Sequence, residues 1–175
     1  MSGAVLLALE IVASRIIAPF FGNSIYVWGS LIGVFLAALA LGYFLGGQAA
    51  DRWPSLAVLA GCVFLAGALV VPIPVVAPRV LEVIILRDPG PRISPLVGSL
   101  ALFFLPGVVI GMVSPFAVRL RARTVDTIGN VAGALYALST LGSIAGTLLA
   151  SFVLIAVTDV SQIVYALGAA LLVLA

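Results

Sequence analysis

The run FGNSIYVWGSLIGVFLAALALGYFLGGQAA, from Phe21 to Ala50, contains no charged residue. A second uncharged run extends from Thr127 to Thr158. A helix of about 20 apolar residues crosses the ~30 Å hydrocarbon layer of a bilayer, so each run is long enough to span it. Hydrophobic residues make up 64% of the chain and charged residues 8%. We therefore expect an all-α integral membrane protein surrounded by lipid.

Prolines and charged residues divide the remaining chain into further apolar stretches. Pro19, the pair Asp51-Arg52 and Pro72 each close one of them, because proline interrupts helices and charges mark their ends. Six transmembrane helices are predicted, over residues 4–20, 25–50, 55–71, 95–118, 129–157 and 160–175. Together they form a single transmembrane domain that occupies residues 1–175.

The segment over residues 75–92 fits none of these spans. Arg79 and Glu82 stand three residues apart among apolar neighbours, which places them on one face of a helix. This pattern is typical of an amphipathic helix that lies along the membrane surface. We expect such an interfacial helix between the third and fourth spans, followed by an exposed turn at residues 87–92.

Arginines in short loops predict the orientation, because cytoplasmic loops carry an excess of basic residues. The loops after the second and fourth spans hold Arg52, Arg119, Arg121 and Arg123. The opposite side holds Arg79, Arg87 and Arg92, in a longer segment that also carries acidic residues. We expect both termini to be cytoplasmic, in a prokaryotic-type cell membrane.

Small residues recur every fourth position in the second and fifth spans. The ridges are Ala38-Gly42-Gly46-Ala50, Gly29-Gly33-Ala37 and Gly142-Gly146-Ala150. Such ridges allow helix backbones to approach closely in lipid. We therefore predict that the second and fifth spans are central, with Gly42, Gly46, Gly142 and Gly146 as packing residues. The partner helix belongs either to the same chain or to a second copy.

Two ionisable residues, Glu10 and Arg15, lie inside the first span. A charge at membrane depth costs about 2.5–3.5 kcal/mol and usually faces a partner or a cavity. Because the two residues are five positions apart, their side chains project from different faces of the helix. Each therefore needs its own partner. One interpretation is that Glu10 binds a cation or proton in a midplane cavity. The other is that Glu10 makes a polar helix contact and Arg15 extends to the interface.

Aromatic and hydroxyl side chains supply further candidate binding residues. Tyr26 and Trp28 belong either to an interfacial aromatic belt or to a mouth that takes a cation by cation–π contact. A polar seam runs along one face of the fifth span, with members three or four residues apart: Tyr136, Ser139, Thr140, Ser143 and Thr147. Its hydroxyls either bond to carbonyls of their own helix or line a pathway.

Several kinds of chemistry are not expected from this composition. The chain has one cysteine, Cys62, and no histidine, so neither a metal centre nor a disulfide framework is predicted. Phosphate loops and dinucleotide pockets require a strand–turn–helix context, and we expect no cofactor. The net charge of +2 matches short membrane loops and does not suggest nucleic-acid binding.

Five blocks of the chain resemble a known family. They are LEIVASRIIAP (9–19), FGNSIYVWG (21–29), LGYFLGGQAADR (41–52), GMVSPFAVRL (111–120) and LYALSTLGSIAGT (135–147). In this order they resemble the N-terminal membrane domain of spermidine-synthase-like membrane proteins, often labelled fused major-facilitator/spermidine synthase proteins. The resemblance implies a small cationic substrate such as a polyamine. Glu10 and Arg15 would lie at its site, with Tyr26, Trp28 and Tyr136 as aromatic walls and Ser139 and Thr140 as polar contacts.

The same resemblance implies a soluble aminopropyltransferase-like domain after the helices as a partner in a parent protein. This chain shows no such domain, so we do not expect transferase activity from it alone.

The block Gly47-x-x-Ala50-Asp51-Arg52 also resembles a loop motif of major-facilitator transporters, which implies a gating role for Asp51 and Arg52. Six spans equal half of such a transporter, so a second hypothesis is a half-size transporter that works as a homodimer. A dimer formed through the Gly42/Gly46 ridge would favour it. A third hypothesis is a membrane anchor or interaction module without a ligand of its own.

Overall fold

The computed structural model describes residues 2–121 and 128–175. Every regular element in those two ranges is helical, which confirms the prediction of an all-α fold. The helices are α1 (Ser2–Phe21), α2 (Ile25–Arg52), α3 (Leu56–Val70), α4 (Ile73–Arg87), α5 (Ser94–Arg121), α6 (Gly129–Val157) and α7 (Val160–Leu174). Arg123, counted above for the orientation, lies outside the described residues.

Two of the long helices contain a π-helical turn, Leu100–Phe104 in α5 and Ala150–Leu154 in α6. The turn in α5 directly precedes Pro106, which has no N–H to donate and whose ring meets the carbonyl four residues earlier. Widening the helix at this point relieves that conflict. Elsewhere the chain turns at glycine: Gly22, between α1 and α2, has a φ of 76°, where a side chain would be strained.

Four helices, α1, α2, α5 and α6, are long and apolar enough to cross a membrane. The pair α3 and α4 passes the same test when taken together, but the two are bent by 55° at the break between them. α7 is apolar but has only 15 residues. The chain is therefore compatible with membrane insertion, whereas the predicted count of six spans is not confirmed. The two spans that do not meet the length criterion on their own are the third and sixth, because their helices are shorter than the thickness of the hydrocarbon layer.

Among the described helices, α2 and α5 form the most extensive contact. A Cβ atom at Gly46 would lie 2.6 Å from the Met112 Cα, and Gly42 meets the backbone of Val108 and Gly111. Further along, the rings of Phe35 and Phe103 stack with centroids 5.8 Å apart. The Gly42/Gly46 ridge is thus occupied within the chain, and a dimer through this ridge would require α5 to leave it.

The second span packs closely against α5, as predicted for a central helix, but the fifth span is largely exposed and α1 takes a more buried position. Four residues of α1 have no exposed surface: Leu9, Val12, Ala13 and Ile17. In α6, 6% of the apolar stretch is buried, against 56% in α5. The prediction for the fifth span was wrong because a small-residue ridge marks a close contact with one neighbour and says nothing about how many neighbours a helix has.

The amphipathic segment forms α4, which begins two residues earlier than predicted and ends before the turn. One side of α4 is buried and consists of Ile73, Ala77, Leu81 and Ile84. Arg79 and Glu82 lie on the exposed side. α4 contacts α1 and α5, and both Leu81 of α4 and Phe21 at the end of α1 lie beside Gly98 of α5. α4 therefore closes that end of the bundle.

Candidate functional site

A groove lined by hydroxyl groups lies where α1, α2, α5 and α6 meet. Its volume is about 360 Å³. We call it the hydroxyl groove, and its polar lining residues are Ser2, Tyr43, Ser114, Tyr136, Ser139, Thr140 and Ser143. Leu6, Leu7, Leu39 and Ile110 form its apolar wall. No arginine, aspartate or glutamate is among the described lining residues.

The start of α1 lies against two hydroxyl groups of α6. A Cβ atom at Gly3 would lie 2.6 Å from the Ser139 Oγ and 2.7 Å from the Ser143 Oγ. One turn further along α6, Gly146 contacts the backbone of Ala4. Glycine on both helices therefore permits a close approach, and this approach turns the polar seam of α6 towards the groove.

Two groove hydroxyls, those of Ser139 and Thr140, differ from three serine hydroxyls elsewhere in the bundle. The Ser14, Ser94 and Ser99 Oγ atoms each donate to a carbonyl of the preceding turn, at 2.7, 2.9 and 2.7 Å. Within the described ranges, Ser139 and Thr140 make no such side-chain hydrogen bond. Hydroxyls in an apolar bundle that are not used by their own helix are available to a ligand.

Glu10 and Arg15 are not brought together. Glu10 is half-buried and Arg15 is exposed, and among the described residues neither has an ion-pair partner. Glu10 lines neither the groove nor the two cavities described below. It does share a helix face with Gly3 and Leu7, because positions separated by four and then three residues align. Glu10 therefore lies about 4.5 Å along the helix axis beyond Leu7, which belongs to the groove wall.

Tyr26 and Trp28 lie at the opposite end of the bundle from Tyr136. The Tyr26 ring lies 5.6 Å from the Arg92 Cζ, and the Trp28 Nε1 donates to the Asn23 Oδ1 at 2.9 Å. Both aromatic residues follow the end of α1, whereas Tyr136 lies beside Ser2 at its beginning. Since α1 has 20 residues and rises 1.5 Å per residue, about 30 Å separate the two ends. The predicted aromatic walls do not surround one site.

Asp51 and Arg52 lie at the end of α2, where they make two different contacts. The Asp51 Oδ1 and the Arg119 Nε form an ion pair of 3.0 Å that joins the ends of α2 and α5. The Arg52 guanidinium lies 5.2 Å from the Trp53 ring. Sequence reasoning selected Asp51 but not its partner Arg119, because the pairing depends on how α2 packs against α5.

Two further cavities border α6. One of about 250 Å³ lies between Ser2, Leu174 and Tyr136 and shares Ser2, Ser114, Tyr136 and Ser139 with the hydroxyl groove. Because Ser2 and Leu174 line the same cavity, the described ends of the chain lie at the same end of the bundle. The other, of about 680 Å³, lies between the beginnings of α3 and α6 and the end of α5.

Three groove residues, Ser2, Tyr43 and Ser114, were missed by the sequence analysis. Ser114 occurs in the block GMVSPF and Tyr43 in LGYF, so a polar atom in an apolar run was a usable signal for both. In the described ranges there is no group of three His, Cys, Asp or Glu side chains suited to a metal ion. Comparisons of the chain with protein-family models, with curated proteins and with solved structures found no match.

Proposed function

We propose that this chain is an integral membrane domain that binds, and passes, a small cationic substrate at the hydroxyl groove. The observation that carries the proposal is the set of hydroxyls from four helices around a cavity of about 360 Å³. Polar side chains inside a membrane bundle are costly unless they serve a ligand or a partner. Pockets of this size, apolar with a few convergent polar groups, are typical of small-molecule sites.

The proposal includes six membrane crossings. In this arrangement α3 crosses with the help of the bend that leads into α4, and α7 crosses as a short helix. Local thinning of the bilayer accommodates spans shorter than the hydrocarbon layer at a modest cost. Both termini would be cytoplasmic, with the hydroxyl groove near that face and α4 along the opposite one.

Two features near the groove favour a cation, although its own lining is uncharged. Glu10 is the acidic residue nearest the groove wall along α1, and the phenol rings of Tyr43 and Tyr136 offer faces that attract ammonium groups. A polyamine has ammonium groups spaced along an apolar chain, so it suits hydroxyls set in an apolar wall. The resemblance to spermidine-synthase-like membrane proteins makes spermidine the first substrate to test. A transferase-like domain following α7 would lie at the same end of the bundle as the groove.

Binding of labelled spermidine to the purified protein tests this proposal. Thr140→Val removes one groove hydroxyl without changing the size of the side chain, and we expect about tenfold weaker binding, a loss of about 1.4 kcal/mol. Glu10→Gln should weaken binding to a similar extent by removing the negative charge. Thr147→Val is the matched control, because Thr147 lies on α6 but lines none of the three cavities, and it should change affinity less than twofold.

One measured result would contradict the proposal. If the wild type does not bind spermidine while its thermal unfolding in detergent remains cooperative, the groove is not a polyamine site. The third hypothesis, a membrane anchor or interaction module, then takes precedence. Equal weakening by Thr140→Val and Thr147→Val would contradict the location of the site rather than its existence.

A second candidate function is a half-size major-facilitator-like transporter that works as a homodimer. The observation that favours it is the low burial of α6, together with open space beside Gly29 and Gly33 of α2. In this function the Asp51–Arg119 pair would act in gating. Cross-linking of Gly33→Cys in a Cys62→Ser background tests the dimer, with Gly133→Cys on α6 as the alternative face. Absence of cross-linked dimer from both positions in liposomes would contradict it.

A further inference from the structure

The cavity between α3 and α6 differs from the hydroxyl groove in its chemistry. It is a crevice of about 680 Å³ whose walls are apolar, with Leu59 of α3 on one side and Ala134 and Leu135 of α6 on the other. Arg121 and Asn130 lie at one end of this crevice. It therefore combines an apolar interior with a cationic mouth, whereas the hydroxyl groove has no described cationic lining residue.

The two walls of the crevice share α5 as a neighbour but differ in their second neighbour. α3 contacts α5 and α7, and α6 contacts α1 and α5. The end of α5, at Ala117 and Leu120, forms the floor between them. A cavity with such walls is not a stable place for water, since water requires several polar partners. Hydrocarbon is the occupant that the walls favour.

The mouth of the crevice lies where a membrane interface is expected. Arg121 ends α5, and the neighbouring helix end carries Trp53, which is 56% exposed and stacks with Arg52. Tryptophan and arginine at helix ends are typical of the headgroup level. The nearby Arg119 is held by Asp51, whereas the Arg121 side chain belongs to the crevice.

We propose that the crevice binds an anionic phospholipid, with one acyl chain between α3 and α6 and the phosphate on the Arg121 guanidinium. Asn130 supplies an amide donor beside the same headgroup. Basic pockets between membrane helices bind anionic headgroups, and each arginine near the surface contributes about 1 kcal/mol. The positive charge of Arg121 disfavours a polyamine at this site. The inference rests on the membrane placement proposed above but does not depend on spermidine binding.

Lipid binding to the purified protein in a neutral detergent tests the inference. Phosphatidylglycerol and phosphatidylcholine with the same acyl chains are titrated while the tryptophan fluorescence and the unfolding temperature are followed. We expect phosphatidylglycerol to bind at least fivefold more tightly. Arg121→Gln should remove about fivefold of its affinity, which corresponds to about 1 kcal/mol. Arg87→Gln is the matched control, an exposed arginine at the opposite end of the bundle, and should leave the affinity within twofold.

Two further measurements distinguish a phospholipid from other possible occupants of the crevice. Ala134→Phe fills the crevice without changing charge and should weaken binding of both lipids. Glycerol phosphate, which has the headgroup phosphate but no acyl chain, should neither compete nor stabilise. Three results would each overturn the proposal. They are equal affinity for the two lipids, equal effects of Arg121→Gln and Arg87→Gln, and full competition by glycerol phosphate. Thr140→Val should leave lipid binding unchanged, so a failure of the spermidine proposal is recognised separately.

Discussion

The helices α2 and α6 carry small residues at the same four-residue spacing, yet they occupy very different surroundings. Gly42 and Gly46 of α2 lie against the backbone of α5. Gly142 and Gly146 of α6 meet α1 only around Ala4. Beyond that contact α6 borders three cavities, whereas α2 continues against α5 to the Phe35–Phe103 stack.

The difference arises from the partner helix rather than from the ridge itself. α5 presents Gly107 and Gly111 opposite α2, so small residues meet small residues over two turns. α1 presents only Gly3 and Ala4 to α6 before its larger side chains begin. Since association in lipid depends on close packing, the first pair approaches closely over about two turns. In the second pair the glycine contacts are confined to the beginning of α1, although the π-helical turn of α6 also contacts α1.

The comparison suggests a division of roles between the two regions. The α2–α5 pair provides a rigid frame, and its interface consists of glycine, alanine and aromatic contacts. The polar seam and the cavities lie on the helix that is packed less closely. Binding sites are built where helices separate, and the frame keeps the surrounding walls in place.

The largest expected effect on the free energy of unfolding is at the α2–α5 interface, the frame of the bundle. In Gly46→Ala the new Cβ would lie 2.6 Å from the Met112 Cα and 2.8 Å from its carbonyl oxygen, so the helices must separate. We expect a loss of roughly 2–3 kcal/mol in the free energy of unfolding, as found for overpacking in a close interface. Equilibrium unfolding in mixed micelles measures this loss of free energy.

Gly33→Ala is the matched control on the same helix, because nothing lies within 4 Å of a Cβ atom at Gly33. Its effect should be near zero, or stabilising by up to about 1 kcal/mol through helix propensity. If the two substitutions cost the same, the α2–α5 contact is not the frame of the bundle.

A smaller effect is expected at the corresponding position of α6. In Gly146→Ala the new Cβ would lie 2.8 Å from the Ala4 Cα, but α6 can shift into the cavities beside it. We expect a loss of roughly 1 kcal/mol, with Gly133→Ala near zero because the space beside Gly133 is open. Spermidine affinity, measured in parallel, should fall in Gly146→Ala because the hydroxyl groove widens. A loss as large as that of Gly46→Ala would contradict the difference between the two regions.

The helices themselves were largely accessible from the sequence, because uncharged runs bounded by Pro, Gly and Arg carry local information. α2 and α6 begin and end within two residues of the predicted spans. Continuation of α5 to Arg121 was not predicted, since in the sequence Arg119 and Arg121 mark the end of the apolar span, whereas the helix includes both of them.

The grouping of site residues was not accessible in the same way. Tyr136, Ser139 and Thr140 share a helix, so their periodicity predicted a common face. Whether Tyr26 or Tyr43 joins them depends on which ends of α1 and α2 meet α6, and no local pattern contains that information. Because α1 and α2 are antiparallel, the beginning of α2 lies far from the beginning of α1. Tyr26 is near the beginning of α2, whereas Tyr136 lies beside the beginning of α1, so the two are far apart.

The smallest expected effect concerns the ion pair at the end of the frame. Asp51 and Arg119 are both largely exposed, with 76% and 51% of their side-chain surface accessible. A double-mutant cycle with Asp51→Asn and Arg119→Gln should give a coupling of about 0.2–1 kcal/mol, as for other exposed pairs. The coupling should shrink further at high salt, because mobile ions screen exposed charges. A gating role predicts a different pattern: in liposomes each single variant would change spermidine flux far more than it changes stability. Flux and stability that change in proportion would instead mean that the pair only holds the ends of α2 and α5 together.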